Sequence, residues 1–185
     1  ASYEAEVSEA KASNPEAIVL IGFDESAKIV QEMLKQGVGP KDVPLYLVDG
    51  NLSNTLYKDL PKGSMEGTQG TLPGAEASEE FQSQLLEINP DLKDFSYAPE
   101  AYDAAILIAL AAQAAGNDSG RAIGDTIKQV SAEGEKCTNY ADCLALLEDG
   151  KDIDYDGKSG PIDLNDVGDP SKAVMGIYTY GADNT

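Results

Sequence analysis

The stretch NPEAIVLIGFDESAKIVQEMLKQGVGPKDVPLYLVDG, residues 14–50, decides the fold. Its first apolar run, AIVLIG (17–22), is short and uninterrupted, the pattern of a strand buried on both faces of a parallel sheet. Asn14-Pro15 separates it from what precedes, and Asp24 beyond it is a candidate N-cap. SAKIVQEMLKQ (26–36) then sets Ile29, Val30, Met33 and Leu34 at helical spacing and stops at Gly37. VPLYLV (43–48) repeats the strand signal and ends at Asp49-Gly50, with NLSNTLYKDL (51–60) reading as a short helix behind it. Two adjacent βα units result. The right-handed crossover puts their helices on both faces of a doubly wound, mostly parallel sheet, so the fold class is α/β.

Outward from this unit, ASYEAEVSEAKAS (1–13) reads as a helix with Tyr3, Val7 and Ala10 on one face. A chain that opens on a helix with no strand before it is expected to be a piece of something longer. In the other direction GTQGTLPG (67–74) bounds a short Thr-rich strand and marks a boundary, followed by a helix over EASEEFQSQLLEIN (76–89). PEAYDAAILIALAAQAAG (99–116) is apolar almost all round and reads as a buried helix between Pro99 and Gly116, too short and too acidic in its first turn to span a membrane. Residues 119–133 and 140–148 read as two further helices. GPIDL (160–164) and AVMGIYTYG (173–181) read as strands, expected to lie near one another across the turn-rich NDVGDPSK.

Composition limits what such a chain does. With 185 residues and 42% hydrophobic content it can bury a real core, which argues against disorder. Its 33 acidic against 13 basic residues leave a formal charge of -20, which repels phosphate backbones and anionic membranes and argues against nucleic acid as a partner. Histidine is absent, removing the usual general base, triad partner and zinc ligand. Asp24, Asp49 and Ser26 could line an enzyme site, but there is no Gly-rich phosphate loop and no nucleophile elbow, so neither catalysis nor a cofactor is expected. Cys137 and Cys143 in EKCTNYADC are too few for a thiolate zinc site; a short-range disulfide, as in exported proteins, is the favoured reading and two thiols the alternative.

One acidic window invites a metal. DIDYDGKSGPID (152–163) places Asp152, Asp154, Asp156 and Asp163 at positions 1, 3, 5 and 12 of a calcium-loop pattern, with Gly157 at 6. Asp rather than Glu at 12, Pro161 at 10, Ser159 at 8 and no flanking helix on the far side count against it. An Asp/Gly turn feeding a strand is favoured, with calcium as the weaker alternative.

Taken in order, NPEAIVLIGFDESAKIVQEMLKQGV, VPLYLVDGNLS, GTQGTLPG, SYAPEAYDAAILIALAAQAAG and YDGKSGPIDLNDVGDPSKAVMGIYTY resemble the C-terminal half of a type I periplasmic, or extracellular, solute-binding protein, in the branch serving branched-chain amino-acid ABC transporters. The similarity extends over nearly the whole chain. It implies an incomplete form of that fold, lacking the N-terminal part of the first lobe. Residues 1–73 would be second-lobe βα units; 74–159 the crossing segment and first-lobe helices, with the Cys137–Cys143 loop; and 160–185 the closing strands that return to the second lobe. Two lobes in this family close on a ligand held between them.

By the same resemblance, Asp49 would pair with the ammonium group of an amino-acid ligand, Phe23 would set its ring against that ligand, and Tyr97 would contribute from the other lobe. As isolated residues, Asp49 also reads as the polar start of a turn and Phe23 as a packing residue. The implied function is the extracellular or periplasmic substrate-binding component of an ABC importer. Its partners would be a small ligand and a permease, with no membrane insertion of this segment and a lipid anchor expected only through a missing N-terminus. The ligand-sensing domain of a receptor is the alternative on the same fold.

Overall fold

The structure, a computed structural model, describes residues 2–74 and 76–185. The chain forms two compact units, 1–73 with 175–185 and 74–174.

The first unit is built from α1 (Glu4–Ala12), β1 (Ile18–Leu20), α2 (Ser26–Gln36), β2 (Leu45–Leu47), β3 (Gln69–Pro73) and β7 (Met175–Thr179). β1, β2 and β3 run parallel, and β7 adds antiparallel to β3, in the order β1-β2-β3-β7. Val7 of α1 and Val30 and Met33 of α2 pack with Leu45 and Leu47 of β2, Tyr57, Met65 and Tyr180; Ile18 and Leu20 of β1 pack onto the same cluster. Helix α2 ends at Gly37, whose φ of 71° is the left-handed turn that glycine adopts without steric cost. Asp24 is not its side-chain cap. The preceding residue is Glu25, which makes no side-chain capping bond, and its carboxylate turns back to Phe23.

Two expectations for this unit are corrected. β1 is an edge strand with one open face, because Val19 is 64% exposed and lies in register with Tyr46, itself exposed. The apolar run is continuous, but among the described residues the unit's helices pack only on the side of Ile18 and Leu20. The helix expected over 51–60 is instead a single 3-10 turn, Asp49–Asn51, followed by turns. Short polar side chains capture the backbone there: Asn51 Oδ1 accepts from Val48 N at 2.9 Å and Ser53 Oγ from Thr55 N at 3.2 Å. Such local bonds compete with the helical ladder. Tyr180 holds the segment from outside, its hydroxyl bonding both the N–H and the carbonyl of Ser53 at 2.9 Å.

The second unit contains α3 (Glu79–Ile88), α4 (Ala98–Ala115), α5 (Gly120–Thr126), β4 (Glu135–Cys137), α6 (Tyr140–Glu148), β5 (Ile153–Gly157) and β6 (Gly160–Pro161). α4 buries one stripe, Pro99, Asp103, Leu107, Leu110 and Ala111, rather than its whole circumference. Its exposed positions are mostly alanine, which favours helix while leaving little apolar surface in water. The acidic window is itself strand. Ile153 and Tyr155 alternate into the core with Val130 and Leu110, and β5 pairs in parallel with β4, a short charged strand absent from the reading of the sequence. β6 pairs with β5 and β7 with β3, so the two late strands are not neighbours. Residues 160–174 fall in the second compact unit and Met175–Thr185 in the first.

Asp103, 2% exposed, organises the end of β5. Its carboxylate accepts from Tyr155 Oη at 2.8 Å, Lys158 N at 2.8 Å, Ser159 N at 2.7 Å and Ser159 Oγ at 2.6 Å. Burial, and then this bond, hold the Tyr155 phenol well above its usual range. Gly157 leaves the room required, since a Cβ there would stand 2.2 Å from the carboxyl carbon.

Cys137 at the end of β4 and Cys143 in α6, both buried, form a disulfide. Reduction is expected to add about 2 Da to the intact mass and to lower unfolding stability by about 2 kcal/mol through the freed loop. Chemical denaturation with and without reductant checks it; an unchanged midpoint would show that the bridge adds no stability.

Candidate functional site

Parallel strands end side by side, and open α/β sheets hold ligands outside their carboxyl ends. In the first unit the first two of those ends belong to β1 and β2, paired in register up to Leu20 and Leu47, with β3 parallel beside them. The loop after β1 carries Phe23 and the loop after β2 carries Asp49, which opens the 3-10 turn with its side chain exposed. Phe23 is 69% exposed, and its ring lies against the backbone of Gly50. Its N–H donates to Glu25 Oε1 at 3.0 Å, and this bond holds the Glu25 carboxyl below its ordinary range.

The two loops touch. A Cβ on Gly50 would fall 2.7 Å from the Gly22 carbonyl oxygen and 2.8 Å from Phe23 Cε1, so glycine is required for close approach. Beneath them lies Asn51, 0% exposed, whose Nδ2 donates to Leu20 O at 2.9 Å and to Ser26 Oγ at 3.0 Å. Tyr57 Oη donates to Asn51 O at 2.9 Å, and burial pushes that phenol well above its usual range. The result is an exposed carboxylate and an exposed ring on a rigid, hydrogen-bonded floor. An anionic side chain and an apolar ring carried on touching loops are the kinds of group that meet an ammonium group and an apolar portion of a ligand.

Of the residues singled out from the sequence, Phe23 and Asp49 lie in these two touching loops, whereas Tyr97 belongs to the second unit. Tyr97 precedes α4 in a left-handed conformation with φ 61°, a position that costs a bulky residue about 1 kcal/mol. Gly50, Asn51 and Ser26 were not singled out as a constellation; the turn-forming Asp-Gly-Asn triplet is their only sequence signal.

The four aspartates of the acidic window do not converge on a metal. Lys136 Nζ sits 2.8 Å from Asp154 and 2.9 Å from Asp156, supplying the positive charge itself, while Asp163 pairs with Lys172 at 3.1 Å. Asp152 Oδ1 accepts from Gln129 Nε2 and Ile153 N. Among the described residues no group of three or more Asp, Glu, His or Cys could hold a metal ion.

Comparison with known proteins gives a consistent result. The model of the family described as "Receptor family ligand binding region" matches residues 4–183. The chemotactic signal transduction system substrate-binding protein BasB of Halobacterium salinarum is 27% identical over 169 residues, which is 89% of this chain and 39% of that protein. The leucine binding protein LivK of Thermotoga maritima has a similar fold, with TM-score 0.66 and 19% identity over 97% of this chain and 46% of its own. The branched-chain amino acid transporter substrate binding protein LivJ of Streptococcus pneumoniae, solved in complex with isoleucine, gives TM-score 0.70 and 16% identity over 98% of this chain and 46% of its own. This chain therefore spans less than half the length of these relatives.

Proposed function

Because the chain belongs to the receptor family ligand binding region, we propose that it is part of a substrate-binding protein that takes up an amino acid with an apolar side chain. The observation that carries this reading is the placement of exposed Asp49 and exposed Phe23 in two touching loops at the carboxyl ends of adjacent parallel strands. Asp49 receives the α-ammonium group and Phe23 covers the apolar portion. On this reading the first unit is the second lobe of the complete protein, the ligand is shared between two lobes, and the closed form is recognised outside the cell by an ABC permease. Family and fold are those of non-enzymatic solute-binding proteins, and the chemistry asked of these residues is binding alone. Among the described residues no helix is long and apolar enough to cross a membrane.

The test is a thermal-shift panel on the intact polypeptide that carries these residues, pairing each apolar α-amino acid with the α-hydroxy acid of the same side chain. At a concentration of 100 times Kd a true ligand stabilises by about 2.7 kcal/mol. The amino acids are expected to raise the melting temperature and the hydroxy acids, lacking the ammonium group, to fail. Equal shifts from both would remove the role assigned to Asp49.

A second reading is favoured by one observation, the similarity to a substrate-binding protein of a chemotactic system. The same loaded form would then be read by a signalling receptor instead of a permease. Loss of amino-acid uptake on gene deletion supports import; loss of taxis with uptake intact supports sensing.

A further inference from the structure

We propose that Asn51 is a positioning residue that braces the loop after β1 against the loop after β2 and so sets Phe23 and Asp49 in the mutual arrangement a ligand meets; the ligand part of this inference rests on the function proposed above. A fully buried amide needs partners for its acceptor and both its donors. Among the described residues the Asn51 side chain finds them in these two loops and the elements that frame them. Its Oδ1 accepts from Val48 N at 2.9 Å, fixing the residue directly before Asp49. Its Nδ2 donates to Leu20 O at 2.9 Å and to Ser26 Oγ at 3.0 Å. Leu20 is the last residue of β1 and Ser26 the first of α2, so these two bonds clamp both ends of segment 21–25, which carries Phe23.

Neighbouring groups fix the amide in turn. Tyr57 Oη holds the Asn51 carbonyl at 2.9 Å, and the Tyr57 ring meets Tyr180 edge to face at 5.5 Å. Gly50, one residue before, lets the Phe23 ring close onto the turn. No other side chain meets this need, because aspartate has no donor, serine is too short, and glutamine would have to fold its extra methylene into a site with 0% exposure. Asn184 makes a useful contrast. It is equally buried, but its bonds go to Met65 N at 3.1 Å and Pro61 O at 3.1 Å, serving the 57–65 segment instead.

The test compares Asn51→Ala, Ser26→Ala and Asn184→Ala in the intact polypeptide, each confirmed folded by circular dichroism, with amide hydrogen exchange in the ligand-free state and L-isoleucine titrated by calorimetry. Asn51→Ala is expected to speed exchange in 21–25 and 48–50 at least about tenfold beyond the change elsewhere and to weaken L-isoleucine binding about tenfold. Ser26→Ala, which removes one of the three bonds, shows the same local pattern at smaller size and stands in if Asn51→Ala does not fold. Asn184→Ala lowers the melting temperature yet leaves the L-isoleucine affinity within about twofold, which separates positioning from general stability. Exchange in 21–25 that stays unchanged in Asn51→Ala, or in Ser26→Ala if the former cannot be studied, overturns the brace whatever the ligand is. Loosened loops with unaltered affinity overturn the link to binding. A wild-type protein that binds no L-isoleucine counts against the proposed ligand class, and the exchange result still decides the brace.

Discussion

Replacing Asp103 with alanine is expected to lower unfolding stability by about 4 kcal/mol, because it strips the partner from four donors at once. The carboxylate lies in the buried stripe of α4 at 2% exposure and accepts from Tyr155 Oη, Lys158 N, Ser159 N and Ser159 Oγ. In the alanine variant the Tyr155 hydroxyl, 0% exposed as a residue, loses its acceptor in the interior. Against a typical domain stability of about 5–15 kcal/mol this is a large fraction of the total. Asp103→Asn keeps one acceptor oxygen but turns an N–H₂ toward groups that donate, so roughly half the loss is expected. Urea denaturation read by tyrosine fluorescence measures both variants. An unfolding free energy for Asp103→Ala within about 1 kcal/mol of wild type would mean that the turn at 157–160 is held by its own backbone rather than by α4.

The second large effect is set by charge. With 33 acids against 13 bases and a formal charge of -20, self-repulsion opposes the compact state throughout the molecule. Several of the few cations are already engaged in exposed ion pairs, among them Lys35 with Glu32 and Lys151 with Glu135, which add little stability. The Debye length shrinks from about 10 Å at 0.1 M salt to about 3 Å at 1 M. Repulsion between carboxylates spaced over the surface is therefore removed while the buried Asp103 contacts persist. The melting temperature is expected to rise by about 10 °C between 0.1 and 2 M NaCl. Most of the rise should fall below about 1 M, where screening changes fastest. Scanning calorimetry across that range checks it, and a flat or falling melting temperature would show that the acidic surface is locally compensated.

How far the fold could be read in advance depended on which physical signal carried each element. β1, α2 and β2 were legible because an apolar run, a 3.6-residue stripe and a terminating Gly37 all agree over one short stretch. The open face at Val19 was not legible, since an apolar run does not record which of its faces another element covers. In β5, the alternation Ile153, Asp154, Tyr155, Asp156 is a strand period in plain sight. It was masked by the coincidence that aspartates spaced by two also match a calcium loop. β4 has only three residues, two of them charged, and becomes a strand by pairing with β5 and anchoring the disulfide. Asp49 and Phe23 stood out as strand-end residues and through the family resemblance. Asn51 did not, because its partners Leu20 and Ser26 are 31 and 25 residues away.

On the proposed function, Asp49 supplies the charge that recognises an amino acid. The most direct measurement is the calorimetric affinity of the intact polypeptide for L-isoleucine, taken for the wild type and for Asp49→Asn, which preserves size while removing charge. Loss of one charge-assisted contact of this kind predicts about a hundredfold weaker binding, near 3 kcal/mol. The same affinity in wild type and Asp49→Asn would remove Asp49 from recognition, and a wild-type protein that binds no amino acid at all would overturn the proposed function.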